Sequence, residues 1–299
     1  MALLAVAAPR LGWNPVSDID QLLRYHFMLN ALRAGTIVAV AAGAIGWFMI
    51  LRRQSFVGHT LATVGFPGAS GAVWLGLPAT WGYFGFCLAA AMVVGLLPRR
   101  ALGAASSGLS EESAVIGTVQ AMALGAGFLF TSLYHGFLSG TTGLLFGSFL
   151  GVTDAQVWTL LAVGLAALAV LVVIGRPLLF ASVDPDVARA RGVPVGALSF
   201  LFVLLLGAAA AEVSQITGTL LIFALLVMPA AAAQQLTTRT GRSLALTVLI
   251  AVAATWLGLA AAYFSAYPVG FYITTFGFAA YLLAASTRLV GGRPRRAGR

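Results

Sequence analysis

The feature that most constrains this chain is a succession of apolar runs, each about as long as a membrane-spanning helix. A spanning helix needs about 20 mostly apolar residues. Runs of that kind lie near 28–51, 58–78, 81–97, 113–134, 156–175, 197–213, 218–236, 243–265 and 268–290. They predict an all-α polytopic membrane protein with about 8–9 transmembrane helices. A further apolar piece, 138–152, is too short to span and carries Gly140, Gly143, Gly147 and Gly151. It reads as a short re-entrant segment buried in protein, because irregular backbone cannot face lipid. Only 8% of the 299 residues are charged, against about 25% in soluble domains. That excludes a soluble enzyme, a disordered chain and a nucleic-acid-binding domain.

All 17 basic residues are arginine, and the chain contains no Lys. A P-loop is thereby excluded, since its lysine holds the nucleotide phosphates. Any ATP hydrolysis tied to this chain falls to a partner. The arginines occupy the breaks between apolar runs. Arg52, Arg53, Arg99, Arg100, Arg176, Arg189, Arg191, Arg239 and Arg242, with five more from Arg288 onward, put 14 at alternate breaks. The other side has only Arg10, Arg24 and Arg33. The positive-inside rule then gives a multi-pass cell-membrane protein with its N-terminus outside and its C-terminus in the cytoplasm. Three stretches follow. Residues 1–27 form an extracytoplasmic segment whose mixed acidic and apolar part, Pro15 to Phe27, suits an interfacial helix. Residues 28–290 form the transmembrane domain. Residues 291–299 form an Arg-rich tail attracted to anionic lipid.

Polar groups inside so apolar a chain are functional candidates, because burying them in lipid is costly. His26 and His135 fall at interfacial positions, whereas His59 opens the second run just after Arg52 and Arg53. Glu212 is a carboxylate within the apolar stretch Ala208 to Val213. It either snorkels to the interface, pairs with a neighbour or lines a polar pathway. Asp154 is placed to cap the helix that begins near 156. Pro229 sits inside an apolar run and favours a kink. Cys87 lies in an apolar stretch and reads as a small buried side chain.

The segment Ser182 to Pro194 carries its own punctuation. Asp184 can cap a helix, and Pro185 fits the first helical position. Asp186 complements the positive helix end, Gly192 can take a left-handed stop, and Pro194 lies beyond it. A helix of about two turns is too short to stand alone. It is either a plain connection or a contact that fits a groove on a cytoplasmic subunit.

Several stretches, taken in order, resemble the ABC-3 type permease of ATP-driven importers for zinc, manganese and iron. They are Leu51-Arg52-Arg53 followed by Ser55 and Gly58, Phe66-Pro67-Gly68, Glu112 to Gly117, Leu145-Phe146-Gly147, Ser182 to Pro194, and Gly218 to Ala233. The resemblance spans about residues 28–290. It implies the permease subunit of an importer for divalent transition-metal ions, zinc or manganese. Two permease copies, identical or different, would work with ATP-binding subunits and an extracytoplasmic metal-binding protein. No cofactor is expected on this chain, and ATP belongs to the partner. Asp184, Pro185, Asp186, Ala188, Arg189, Arg191 and Gly192 would correspond to the coupling helix that engages the ATPase.

In the family pattern an Asp and a His stand four apart after the Arg-Arg loop, on one helical face. Here those positions are His59 and Thr63. An imidazole remains a competent ligand, suited to zinc more than manganese, whereas a hydroxyl is a poor one. The expected pathway residues are His59, Thr63, Glu212 and Pro229, with His59 as metal ligand. The alternative is a secondary transporter or channel working without an ATPase. It usually needs membrane-embedded acids, and Glu212 alone is available.

Overall fold

The computed structural model describes residues 15–96, 109–134, 143–145, 147, 149–265 and 267–290. The described residues are helical with short connections and contain no strand. A short helix α1 (Pro15–Leu23) precedes α2 (His26–Leu51), α3 (Ser55–Trp74), α4 (Ala79–Leu96) and α5 (Leu109–Leu133). After a 3-10 turn at Phe149–Gly151 come α6 (Asp154–Val183), α7 (Pro185–Ala190) and α8 (Val195–Thr217). A 3-10 turn at Thr219–Leu221 leads to α9 (Phe223–Leu226), α10 (Met228–Leu236), α11 (Thr240–Tyr263) and α12 (Val269–Val290). Among the described residues, six helices are long and apolar enough to cross a membrane: α2, α4, α6, α8, α11 and α12. With α3, α5 and the broken piece α9–α10, they account for the expected apolar runs.

The centre of the bundle is α2. The most apolar window of α2 is 72% buried and that of α8 67%, against 22% for α4 and α12. Small residues explain why α2 holds this place. Without a hydrophobic force between helices in lipid, close backbone approach gives the packing. A Cβ on Gly46 would overlap the Leu226 carbonyl, and Gly43 lies against Val248 of α11. The rim is lipid-like instead. On α6, Val172 and Val173 are 78% and 79% exposed.

The contacts define two ends. At one, Trp47 Nε1 donates to Ser243 Oγ (2.9 Å) and Gln234 Nε2 to the Trp47 carbonyl (3.3 Å). Arg52 joins this end to α6 and α8. At the other, Asn30 Nδ2 donates to the Val152 carbonyl (3.3 Å) and Trp256 Nε1 to Thr36 Oγ1 (2.9 Å).

Three expectations require correction. The run 218–236 is not one kinked span. Gly218 has φ +79° and ψ 161°, and the chain restarts as α9 and then α10. Pro229 lies in the first turn of α10. There its missing N–H removes no helical bond, so it starts a helix instead of kinking one. The cap of α6 is Thr153, not Asp154. Thr153 and Gln156 form a reciprocal capping box. Asp154 is the first helical residue, and its carboxylate reaches across to His26 Nε2 (3.1 Å) and Asn30 Nδ2 (2.9 Å). Helix α6 also runs to Val183, past the expected end at 175, through Arg176 and Pro177. Of the re-entrant candidate 138–152, Phe149 and Val152 are buried, 143–145 and Gly147 are half-buried, and Gly151 is exposed. Gly147 abuts the backbone of Ile216 to Gly218, and the Phe149 ring lies beside Gly35. His135 lies outside the described residues.

Candidate functional site

Two regions hold most of the predicted functional residues. The first is α7 and its flanks. Asp184 Oδ1 accepts from the backbone N–H of Asp186 (3.1 Å) and Val187 (3.0 Å), and Pro185 occupies the first turn. Arg189 Nη1 donates to Asp186 Oδ1 (2.6 Å). The helix stops as its glycine suggests. Gly192 has φ +79°, and the Val193 N–H closes back on the Ala188 carbonyl (3.0 Å). Ala188 is the one α7 side chain that is buried; Pro185, Asp186, Val187, Arg189 and Ala190 are exposed. A six-residue helix with a single inward anchor presents nearly all of its surface outward.

Next to α7, Arg52 ties the base of this loop together. Its Nη1 donates to Ser182 Oγ (3.0 Å) and its Nη2 to Ser199 Oγ (2.8 Å). Its guanidinium also lies 5.3 Å from the centre of the Phe202 ring. In the sequence Arg52 stands out as a topology marker and as part of the Leu51-Arg52-Arg53 stretch, neither of which points to these contacts. Its partners are far away in sequence, so no local signal reveals them.

The second region is the interior around His59. The ring of His59 stacks on Phe223 at 4.8 Å, at the head of the broken segment. Its Nδ1 is buried and has no hydrogen-bond partner among the described residues. Gly58 faces Leu206, midway along α8, and Leu61 accepts from Cys87 Sγ (3.2 Å), midway along α4. His59 therefore lies within the bundle, deeper than its place at the start of a run suggests. Thr63 lies one turn on, and its hydroxyl donates to the His59 carbonyl (2.9 Å). Thr60 takes a bond from Gln120 Nε2 of α5 (3.1 Å). Phe223 and Gln120 carry no sequence signal, because aromatic and amide side chains in apolar runs are ordinary.

Glu212 belongs to neither group. Its side chain is buried, at 1% exposure, and neither oxygen has a partner among the described residues. It faces Gly164 of α6. A Cβ there would stand 3.4 Å from Oε1 and 3.2 Å from Ile37 of α2. Leu206 and Glu212 are six residues apart on α8, about 120° around the helix. Leu206 looks toward α3 and Glu212 away from it. Pro229, in the first turn of α10, lies six residues beyond Phe223, the ring on which His59 stacks. No three His, Cys, Asp or Glu side chains gather into a metal-holding group among the described residues.

The family model for the ABC 3 transport family matches residues 24–288. The chain belongs to that family. It is similar to the manganese transport system membrane protein MntC of Halalkalibacterium halodurans, with 32% identity over 69% of this chain and 68% of that one. It also resembles the manganese import system permease protein ScaB of Streptococcus parasanguinis, 30% identical over 69% of this chain and 71% of that one. A solved structure, PsaBC from Streptococcus pneumoniae in complex with Fab, superposes with a TM-score of 0.79 at 28% identity. It covers 90% of this chain and 94% of the other. This ABC 3 chain is a multi-pass membrane protein and a transport component.

Proposed function

We propose that the chain is the permease subunit of an ATP-driven importer for divalent transition-metal ions, manganese or zinc. The observation that carries this is α7. It is capped at both ends by its own residues, anchored by Ala188 alone, and otherwise outward-facing. Such a helix is a docking element, and a chain without Lys needs a separate ATP-binding subunit to supply hydrolysis. Manganese is what the named relatives carry, and the His59 imidazole adds zinc as the other candidate. In this reading the arginine-bearing end faces the cytoplasm, and an extracytoplasmic binding protein delivers the ion at the opposite end. The ion passes His59, whose imidazole is a borderline-metal ligand, beside Phe223 and Thr63. Helix breaks at a pathway are where backbone and side chains can rearrange without exposing polar groups to lipid. Alternating access follows when nucleotide-driven closure of the partner displaces α7.

The test is the metal content of cells lacking the chain against complemented cells. The reading expects manganese or zinc to fall severalfold and to be restored by the wild-type gene. Unchanged levels of both metals under metal limitation would refute it.

A further inference from the structure

We infer that Arg52 is a positioning residue that carries motion of α7 to the α2–α3 turn, and through it to His59. The inference rests on the function proposed above. Ser182 and Ser199 bracket α7: the first lies in the last turn of α6, the second in the second turn of α8. Each hydroxyl donates its proton back along its own helix, Ser182 to the Leu178 carbonyl (2.5 Å) and Ser199 to the Val195 carbonyl (2.8 Å). Their lone pairs are thus left to accept from one guanidinium, which spans the base of the loop. A planar fork with five donors can hold two such acceptors at once, while an ammonium is a point charge on a flexible stem.

The other end of Arg52 is a tight backbone joint. It is the C-cap of α2. The next residue, Arg53, has φ +57°, the one positive φ outside glycine among the described residues. The Gln54 N–H closes back on the Met49 carbonyl (2.9 Å), and α3 begins at Ser55. Arg52 Nε also donates to Gln54 Oε1 (3.4 Å), so the guanidinium is bonded to the residue just before α3, in whose first turns His59 sits against Phe223. A displacement of α7 that shifts Ser182 and Ser199 therefore acts directly on the helix that bears the imidazole.

The experiment uses the full complex of this chain with its ATP-binding subunit in proteoliposomes, with the binding protein loaded with radiolabelled Mn(II) or Zn(II). ATP hydrolysis and ion uptake are measured on the same vesicles. Arg52→Gln is expected to assemble and hydrolyse ATP while ions moved per ATP fall roughly tenfold. Arg52→Lys stays nearer to Arg52→Gln than to wild type. Ser182→Ala with Ser199→Ala leaves Arg52 in place and lowers the same ratio, and it decides the matter if Arg52→Gln fails to assemble. A wild-type ratio in the serine pair or in assembled Arg52→Gln overturns the inference. So do equal falls in hydrolysis and uptake accompanied by a lower melting temperature. Absence of ATP-dependent uptake of either ion in the wild-type complex would instead sink the proposed function.

Discussion

Around α7, the polar side chains that shape the chain have partners. Asp184 caps two N–H groups, Asp186 pairs with Arg189, and Arg52 holds two serines. Inside the bundle the pattern reverses. His59 Nδ1, both oxygens of Glu212, Ser214 Oγ and Thr219 Oγ1 are buried without a hydrogen-bond partner among the described residues. Native proteins partner nearly all buried polar groups, so unpartnered ones need a reason of their own. The contrast divides the work of the molecule. One region keeps its shape through its own hydrogen bonds. The other keeps polar groups that the fold itself does not use.

Four tests sharpen or break this contrast. The largest effect is expected at Gly218, the break in the interior. Its φ of +79° with ψ of 161° lies in a region open essentially to glycine alone. A Cβ there would also overlap the Leu145 carbonyl. Gly218→Ala should lose about 3 kcal/mol, and more where the overlap cannot relax. It would appear as a sharply lower melting temperature in detergent; an unchanged one would mean that the break carries no conformational demand.

The next pair separates two of the unpartnered groups, His59 and Glu212. His59→Ala should lower metal uptake about tenfold or more, as loss of groups around a metal does. Glu212→Gln, on a different face of α8, should leave uptake within about twofold of wild type. Equal losses would place both on one pathway and erase the distinction drawn here.

The third is Asp184→Ala. It frees two N–H groups and should weaken α7 by about 1 kcal/mol. The expected readout is weaker association with the ATP-binding subunit at unchanged permease melting. The smallest effect is at Arg53, whose left-handed backbone costs roughly 1 kcal/mol that glycine avoids. Arg53→Gly should raise the melting temperature by a few degrees at most; a fall would show that its side chain, not its backbone, matters.

These regions were not equally legible in the sequence. The α7 segment could be read directly because Asp184, Pro185, Gly192 and Pro194 act through bonds to their own backbone or its close neighbours. The number and order of apolar runs were legible for the same reason: length and hydropathy are local properties. Most of what failed depended on distant partners; the exception is the Thr153–Gln156 capping box, a local signal. Asp154 looked like a cap, but its carboxylate goes to His26 and Asn30, and the hydroxyl of Thr153 did the capping. Pro229 looked like a kink because nothing nearby reveals that Gly218 has already broken the span. The meeting of His59 with Phe223 joins two runs that carry no mark of each other.

The central claim is that this chain moves a metal ion only when an ATP-hydrolysing partner acts on it. The most direct measurement is Mn(II) and Zn(II) uptake into proteoliposomes holding either the chain alone or the chain with its ATP-binding subunit and binding protein. The account predicts no uptake above empty vesicles for the chain alone. It predicts ATP-dependent accumulation of one of the two ions for the complex. Accumulation by the chain alone, without ATP, would contradict it and make the chain a self-contained transporter.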